Sequence, residues 1–275
     1  MRNLFALFLA ALMMLPQAAQ AKKENEGTEV LKVMSYNIRL GSANDGTNSW
    51  SLRYVATGEM LDDQAPDVFG VQEALDYQVR YINEMCGYEY VGVGRENGKK
   101  EGEHMAIFWN KKSVSMLKWG TFWLSETPQK PSKGWDAACF RTATWALMKD
   151  KKTGRKFYFV NTHLAPVRKP KTDLREAQLK CILDYVEKNK LYPAILTGDL
   201  NAAPDSAAIK LLEQKWRIAG DNTPTYPASK PNWRIDFIAF APADAFEVIA
   251  YEVGNEPTAS DHRPIKAKLR INKPE

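Results

Sequence analysis

Six short polar clusters stand at the ends of apolar, β-prone runs in this 275-residue chain. Asn37 closes MSYN and Gln72-Glu73 closes FGVQE, while Asn161-Thr162-His163 closes YFVNTH. Gly198-Asp199-Leu200-Asn201 follows AILT, Arg234-Ile235-Asp236 opens a run, and Ser260-Asp261-His262-Arg263-Pro264 precedes the last one. Loops at the ends of strands, gathered on one rim of a sheet, are where ligand sites assemble. The residue types suit one chemistry. Carboxylates and amides offer hard oxygens to a hard divalent cation, and two of the three histidines in the chain can move protons near neutral pH. Each piece alone has a bland reading: an Asp before a turn caps it, and a lone His is more often structural. Their order along the chain is what points to a site.

The elements that must carry these clusters follow from the hydrophobic pattern. Residues 30–38, 68–71, 88–93, 105–109, 143–148, 156–161, 194–197, 235–240, 246–251 and 265–271 read as strands. Residues 50–64, 76–85, 173–189 and 206–212 read as helices. In the third helix Leu174, Ala177, Leu179, Ile182, Leu183 and Val186 recur near helical spacing. Asp205, behind Pro204, is the expected N-cap of the fourth. No Pro/Gly/Ser linker and no internal repeat divides the chain, so a single large mixed α and β domain is expected over residues 30–275.

Composition excludes other classes. Apolar residues make up 44% and charged residues 26%, values of a globular protein, and neither disorder nor a coiled coil describes the whole. The first 21 residues combine Arg2, an apolar run from Leu4 to Leu15 and the small-x-small Ala19-Gln20-Ala21, the pattern of a cleaved secretory signal peptide. The run is short for a membrane span, an uncleaved anchor being the alternative. An exported protein, periplasmic or secreted, is therefore expected, with residues 22–29 as a polar lead-in. The net charge is +5 and falls to +4 without Arg2, which permits an anionic partner without demanding one. Cys86, Cys139 and Cys181 are too few and too scattered for a disulfide scaffold or a zinc cluster. Export makes one disulfide possible, and three free thiols are equally compatible with the spacing.

The ordered motifs SYNIR, QE, GEHMAIFW, NTHL, GDLN, RID and SDHRP resemble those of the endonuclease/exonuclease/phosphatase superfamily, over about residues 30–271. The resemblance implies an α+β fold, a four-layer α/β/β/α sandwich in which two mixed sheets pack face to face with helices outside. It implies a site at one edge of that sandwich and hydrolysis of phosphoric esters by water, assisted by Mg²⁺ or Mn²⁺. Glu73 is the implied principal metal ligand, supported by Asn37 and Asp261. Asp199 is implied to orient or deprotonate the attacking water, and Asn201 to hold that water or a phosphate oxygen. Asp236 is implied to fix His262, which stabilises the transition state. His163 is implied as a second phosphate contact or a proton donor to the leaving group, with Glu103 as its partner. Arg141 and Arg234 are candidate phosphate-binding residues; a guanidinium can hold phosphate through two parallel hydrogen bonds, and Arg234 has the alternative role of orienting Asp236 or its loop. His104, beside Glu103, stays outside the catalytic set.

The substrate is left open by this resemblance, because one fold serves many phosphoesters. Lys99-Lys100, FWLSETPQKPSKGWD and PVRKPKTDLR bring basic residues and aromatics together. That mixture suits nucleic acid, and it equally suits core aromatics under a solvated basic rim. A nuclease is the favoured phosphodiesterase; a phosphatase or phosphodiesterase of a small metabolite, sugar phosphate or lipid headgroup is the alternative. A non-catalytic binding protein on the same fold is expected to have lost Glu73, Asp199 or His262, and all three are present. A serine hydrolase would need a Gly-x-Ser-x-Gly elbow, which is absent. A monomer is favoured, without stable membrane insertion after signal cleavage.

Overall fold

A computed structural model describes residues 29–166 and 173–273. The expected signal peptide, almost all of the lead-in and the middle of PVRKPKTDLR lie outside these residues. Among them are twelve strands and four α-helices. The strands are β1 (Leu31–Asn37), β2 (Val68–Gln72), β3 (Glu89–Val91), β4 (Ile107–Trp109), β5 (Val114–Trp123), β6 (Thr142–Asp150), β7 (Lys156–His163), β8 (Ala194–Asp199), β9 (Arg217–Ile218), β10 (Asp236–Ala241), β11 (Phe246–Val253) and β12 (Ile265–Ile271). The helices are α1 (Trp50–Gln64), α2 (Asp76–Cys86), α3 (Leu174–Lys188) and α4 (Ala207–Glu213).

The strands form two six-stranded mixed sheets, ordered β11-β12-β1-β2-β4-β3 and β5-β6-β7-β8-β10-β9. Alternation along each strand sends side chains to two different cores. Between the sheets, Val33, Val68 and Ile107 meet Phe157, Phe159, Ile195 and Phe240. On the outer face of the first sheet, Tyr36, Phe69 and Phe108 pack with Met60 and Leu61 of α1 and Val79 and Ile82 of α2. On the outer face of the second, Val160, Leu196 and Phe237 pack with Leu179, Ile182 and Val186 of α3 and Ile209 and Leu212 of α4. This is the four-layer sandwich that the motifs imply.

Two strands escape the sequence pattern. In β5 a bulge between Met116 and Lys118 breaks the alternation of inward and outward residues, and an edge position leaves much of the strand exposed. β9 spans only two residues, too few to show any period. Ser206, not Asp205, caps α4, its hydroxyl accepting from the Ile209 N–H at 3.4 Å. In the FWLSETPQKPSKGWD region and just before it, Trp123 is buried and Trp135 packs partly buried on the core, whereas Trp119 is exposed. All three cysteines are free. No helix among the described residues is long and apolar enough to cross a membrane.

Strand direction builds the rim. β1 runs parallel to β2 and β7 parallel to β8, so Asn37 pairs with Gln72 and His163 with Asp199 at their C-terminal ends. β10 is antiparallel to β8, which places its first residue, Asp236, opposite Asp199.

Candidate active site

Beneath the rim the interface between the sheets turns from apolar to polar. Asn161 of the NTHL motif lies fully buried there. Its Oδ1 accepts from Gln72 Nε2 at 2.7 Å and from Thr197 Oγ1 at 3.1 Å, and its Nδ2 donates to the carbonyls of Val71 and Ala106 at 2.7 and 3.0 Å. One side chain thus staples the sheets together under the site. Gly70 makes room for it: a Cβ there would stand 2.3 Å from Asn161 Oδ1. Buried amides require such complete pairing, since an orphaned one costs about 1–3 kcal/mol. On the other side Arg53 of α1 donates to the carbonyls of Ile38, Arg39 and Ala259, tying the loops that carry Asn37 and His262.

Above this floor Asp199 sits at the centre, 2% exposed. Its Oδ1 accepts from the Asn201 N–H at 2.8 Å. Its Oδ2 accepts from Asn37 Nδ2 at 3.0 Å and lies 3.5 Å from His163 Nε2 and 3.7 Å from His262 Nε2. The same Asn37 Nδ2 donates to Glu73 Oε1 at 3.0 Å, while Asn37 Oδ1 accepts from the Arg39 N–H. The amide therefore links the two carboxylates. Glu73 holds a left-handed backbone, φ 62°, and its Oε2 accepts from the Leu40 N–H at 2.9 Å. A non-glycine residue in that region is strained, and such strain gathers at functional sites. Burial, reinforced by the neighbouring Asp236, pushes the Asp199 carboxyl up to about 7.

The two histidines flank Asp199 in unlike settings. His262 Nδ1 donates to Asp236 Oδ2 at 3.0 Å, and that oxygen also accepts from Thr225 Oγ1 at 2.6 Å. Burial works against a charged ring here, but the Asp236 charge and hydrogen bond, with Asp199 behind them, outweigh it and raise His262 to about 10. Tyr226 covers this ring, 4.7 Å between centroids. His163 is the opposite case. Asn201 Nδ2 donates to its Nε2 at 3.0 Å and to the Leu164 carbonyl at 2.9 Å, so the ring proton belongs on Nδ1. That nitrogen faces Glu103 Oε2 at 3.8 Å, beyond hydrogen-bond range, because the same oxygen is held by Arg95 Nη1 at 2.7 Å. Burial, followed by the charges of Arg141 and Arg95, holds His163 well below the ordinary histidine range.

The sequence candidates are thus brought together with one exception. Arg141 is buried beside His163, its Nη1 3.5 Å from the His163 carbonyl oxygen, and its Nε has no partner among the described residues. Asp261 sits at the edge, 3.7 Å from Arg39 Nε, with burial raising its carboxyl. Arg234 does not join the site. Its guanidinium turns the other way, donating to Asn222 Oδ1 and the Ala219 carbonyl and lying 4.6 Å from the centre of the Phe237 ring. His104 is buried away from the cluster against Ala74 and Gly94. Thr225, Tyr226 and Arg95 lie outside every motif. For Arg95 one signal exists, an opposite-charge pair with Glu103 inside a glycine-punctuated stretch; for Thr225 and Tyr226 the sequence holds none.

The donor chemistry fits a hard divalent cation. Glu73, His163 and Asp199 each present a ligand atom within 4.8 Å of one another, as do Asp199, Asp236 and His262. In the first group two carboxylates converge, and only the Asn37 amide separates them, an excess of negative charge that a cation would relieve.

A model of the Endonuclease/Exonuclease/phosphatase family matches residues 34–262, and the chain belongs to that family. Among solved structures it is similar to an endonuclease/exonuclease/phosphatase family protein from Bacteroides thetaiotaomicron, with 32% identity, a TM-score of 0.80, and coverage of 89% of this chain and 98% of that one. A counterpart from Bacteroides vulgatus has 30% identity and a TM-score of 0.80, covering 88% and 99%. A mannosyl-6-phosphatase from Bacteroides thetaiotaomicron has 32% identity and a TM-score of 0.79, covering 87% and 99%. No curated protein matches the chain.

Proposed function

We propose that the protein is an exported, divalent-metal-dependent phosphoesterase that removes phosphate from a sugar phosphate by direct attack of water. The observation that carries this reading is the Asp199 carboxylate, set between an aspartate-bound His262 and a neutral His163. Similarity to the mannosyl-6-phosphatase over nearly all of that chain favours the sugar phosphate, and a net charge of only +5 is small for a strong polyanion binder. The apolar leader before Ala19-Gln20-Ala21 supports export.

Glu73 would hold the ion, with Asp199 beside it and Asn37 fixing both carboxylates. A bound Mg²⁺ or Mn²⁺ supplies charge neutralisation at the phosphate and the leaving oxygen. The protein groups do the rest. Asp199 orients the water and takes its proton as a general base within hydrogen-bond reach. The Asn201 N–H fixes the carboxylate that does this. The His262 imidazolium, locked by Asp236, donates from Nε2 toward the charge that builds on the phosphoryl oxygens. Arg141, whose Nε has no partner among the described residues, holds the phosphate from the opposite side, where neutral His163 packs beside Asp199 and Asn201.

The test is phosphate release from mannose 6-phosphate by the mature chain, with Mg²⁺ or Mn²⁺, with EDTA, and with Asp199→Asn. Release that disappears with EDTA and with the variant is expected. Metal-dependent nicking of supercoiled plasmid with no release from any sugar phosphate would overturn the sugar-phosphate reading in favour of a nuclease. Activity undiminished by EDTA would overturn the metal-dependent reading altogether.

A further inference from the structure

One tryptophan beside the site is largely exposed, with Tyr226 as its ring neighbour. Trp233 is 61% exposed, the largest value among the exposed tryptophans. The other, Trp119, is 39% exposed and belongs to the middle of the edge strand β5. Trp233 instead stands three residues before Asp236, on backbone held in place by hydrogen bonds. Its N–H donates to the Tyr226 carbonyl at 2.9 Å, and its carbonyl accepts from the N–H groups of Tyr226 and Thr225 at 3.0 and 2.8 Å. Thr225 is in turn hydrogen-bonded to Asp236. An indole left in water contributes little to folding, yet its backbone is fixed to the catalytic strand. The rings form a series leading outward: His262 to Tyr226 at 4.7 Å, then Tyr226 to Trp233 at 6.2 Å. The stretch between Tyr226 and Trp233 adds exposed polar side chains, Ser229, Lys230 and Asn232.

We propose that Tyr226 and Trp233 form a ledge on which the apolar face of a pyranose ring stacks while its phosphate lies at His262, so that this ledge selects ring-bearing sugar phosphates over open-chain ones. The inference rests on the phosphoesterase reading above and names the part of the substrate that the catalytic residues do not read. A hexose 6-phosphate has a single exocyclic carbon and the ester oxygen between ring and phosphorus, which places the ring beside the outermost catalytic side chain. Pyranose C–H groups lie well on an aromatic face, and the ring hydroxyls turn outward toward polar groups such as Asn232 and Lys230. Rigid, pre-positioned aromatics bind at little entropic cost, and large aromatics dominate such contacts.

The experiment compares wild type, Trp233→Phe and Trp233→Ala on mannose 6-phosphate and on glycerol 1-phosphate, which has no ring. Trp233→Ala is expected to lose about tenfold in kcat/KM on the hexose phosphate, almost all of it in KM, the size of one aromatic contact. Glycerol 1-phosphate should change by less than about twofold, and Trp233→Phe should recover most of the loss. Equal losses on both substrates, or no loss on either, would overturn the ledge. So would a loss confined to a dinucleotide substrate, which would assign the ledge to a base instead. If wild type releases phosphate from neither ester, the phosphoesterase reading is what has failed. The ledge is then read by saturation-transfer NMR with mannose 6-phosphate: magnetisation transfer to the sugar that drops in Trp233→Ala supports it, and transfer that is absent or unaltered overturns it.

Discussion

His163 and His262 lie 3.5 and 3.7 Å from the same oxygen of Asp199, both almost completely buried, yet His262 is held cationic and His163 neutral. The difference is set one residue further out. Asp236 keeps an oxygen for His262 at 3.0 Å and has no cation competing for it among the described residues. Glu103 stands in the corresponding place for His163, but Arg95 takes its oxygen at 2.7 Å and leaves His163 at 3.8 Å. Burial disfavours the charged ring in both cases. Only the ring with an uncontested carboxylate overcomes it. A site that must both take a proton from water and stabilise a growing negative charge needs this inequality: two cationic histidines would hold Asp199 ionised and weaken it as a base.

The largest effect should come from removing the group the histidines share. Asp199→Asn is expected to lower kcat by about 10³-fold or more with an unchanged circular dichroism spectrum. Near wild-type turnover would break the mechanism at its centre. Asp236→Asn should follow, at about 10²–10³-fold in kcat, because it converts the His262 side into a copy of the His163 side. It also has a pH signature. His262 is raised from its ordinary value near 6.5 to about 10, so wild type draws stability from the pair that is complete below pH 6.5 and is lost as pH rises through about 10. Chemical denaturation of the metal-free proteins across that range should show the two stabilities converging on the alkaline side. A constant gap would mean that Asp236 acts by packing alone.

Smaller effects sharpen the comparison. His163→Gln should cost less than His262→Ala, since glutamine still offers a neutral donor and acceptor where His163 is neutral; steady-state kinetics on one substrate ranks them. Arg95→Gln removes a cation that suppresses His163 and frees Glu103 to turn toward Nδ1. The ¹⁵N shifts of His163 are then expected to move toward the imidazolium pattern, with kcat changing by less than about tenfold. Unmoved shifts would leave burial and the Arg141 charge as the causes of its neutrality.

Much of the site was legible because its residues lie at strand ends, where sequence order becomes position along a rim. Asn37, Glu73, His163, Asp199, Asn201, Asp236 and His262 all meet as their motifs imply. Arg234 shows the limit: a period of two would set it on the same side as Asp236, but it precedes the first residue of β10 and its guanidinium finds Asn222 and the Ala219 carbonyl instead. Likewise β5 was hidden by its bulge at Met116/Lys118, and the cap of α4 shifted by one residue to Ser206, a displacement that competing local hydrogen bonds readily produce.

The order of residues alone carries which chemical groups are available and, through their motifs, the sandwich and the family. Periodicity and motif spacing are one-dimensional properties, and they survive folding unchanged. What each group becomes is settled by its neighbours in space. Whether Glu103 belongs to His163 or to Arg95, whether Asn37 links two carboxylates, whether Asn161 staples the sheets, and whether an indole before Asp236 is buried or bare all depend on distances of a few ångströms between distant strands. Charge state depends on the same distances, because burial and the nearest partner carry energies of similar size and opposite sign, and only their placement in three dimensions decides which one wins.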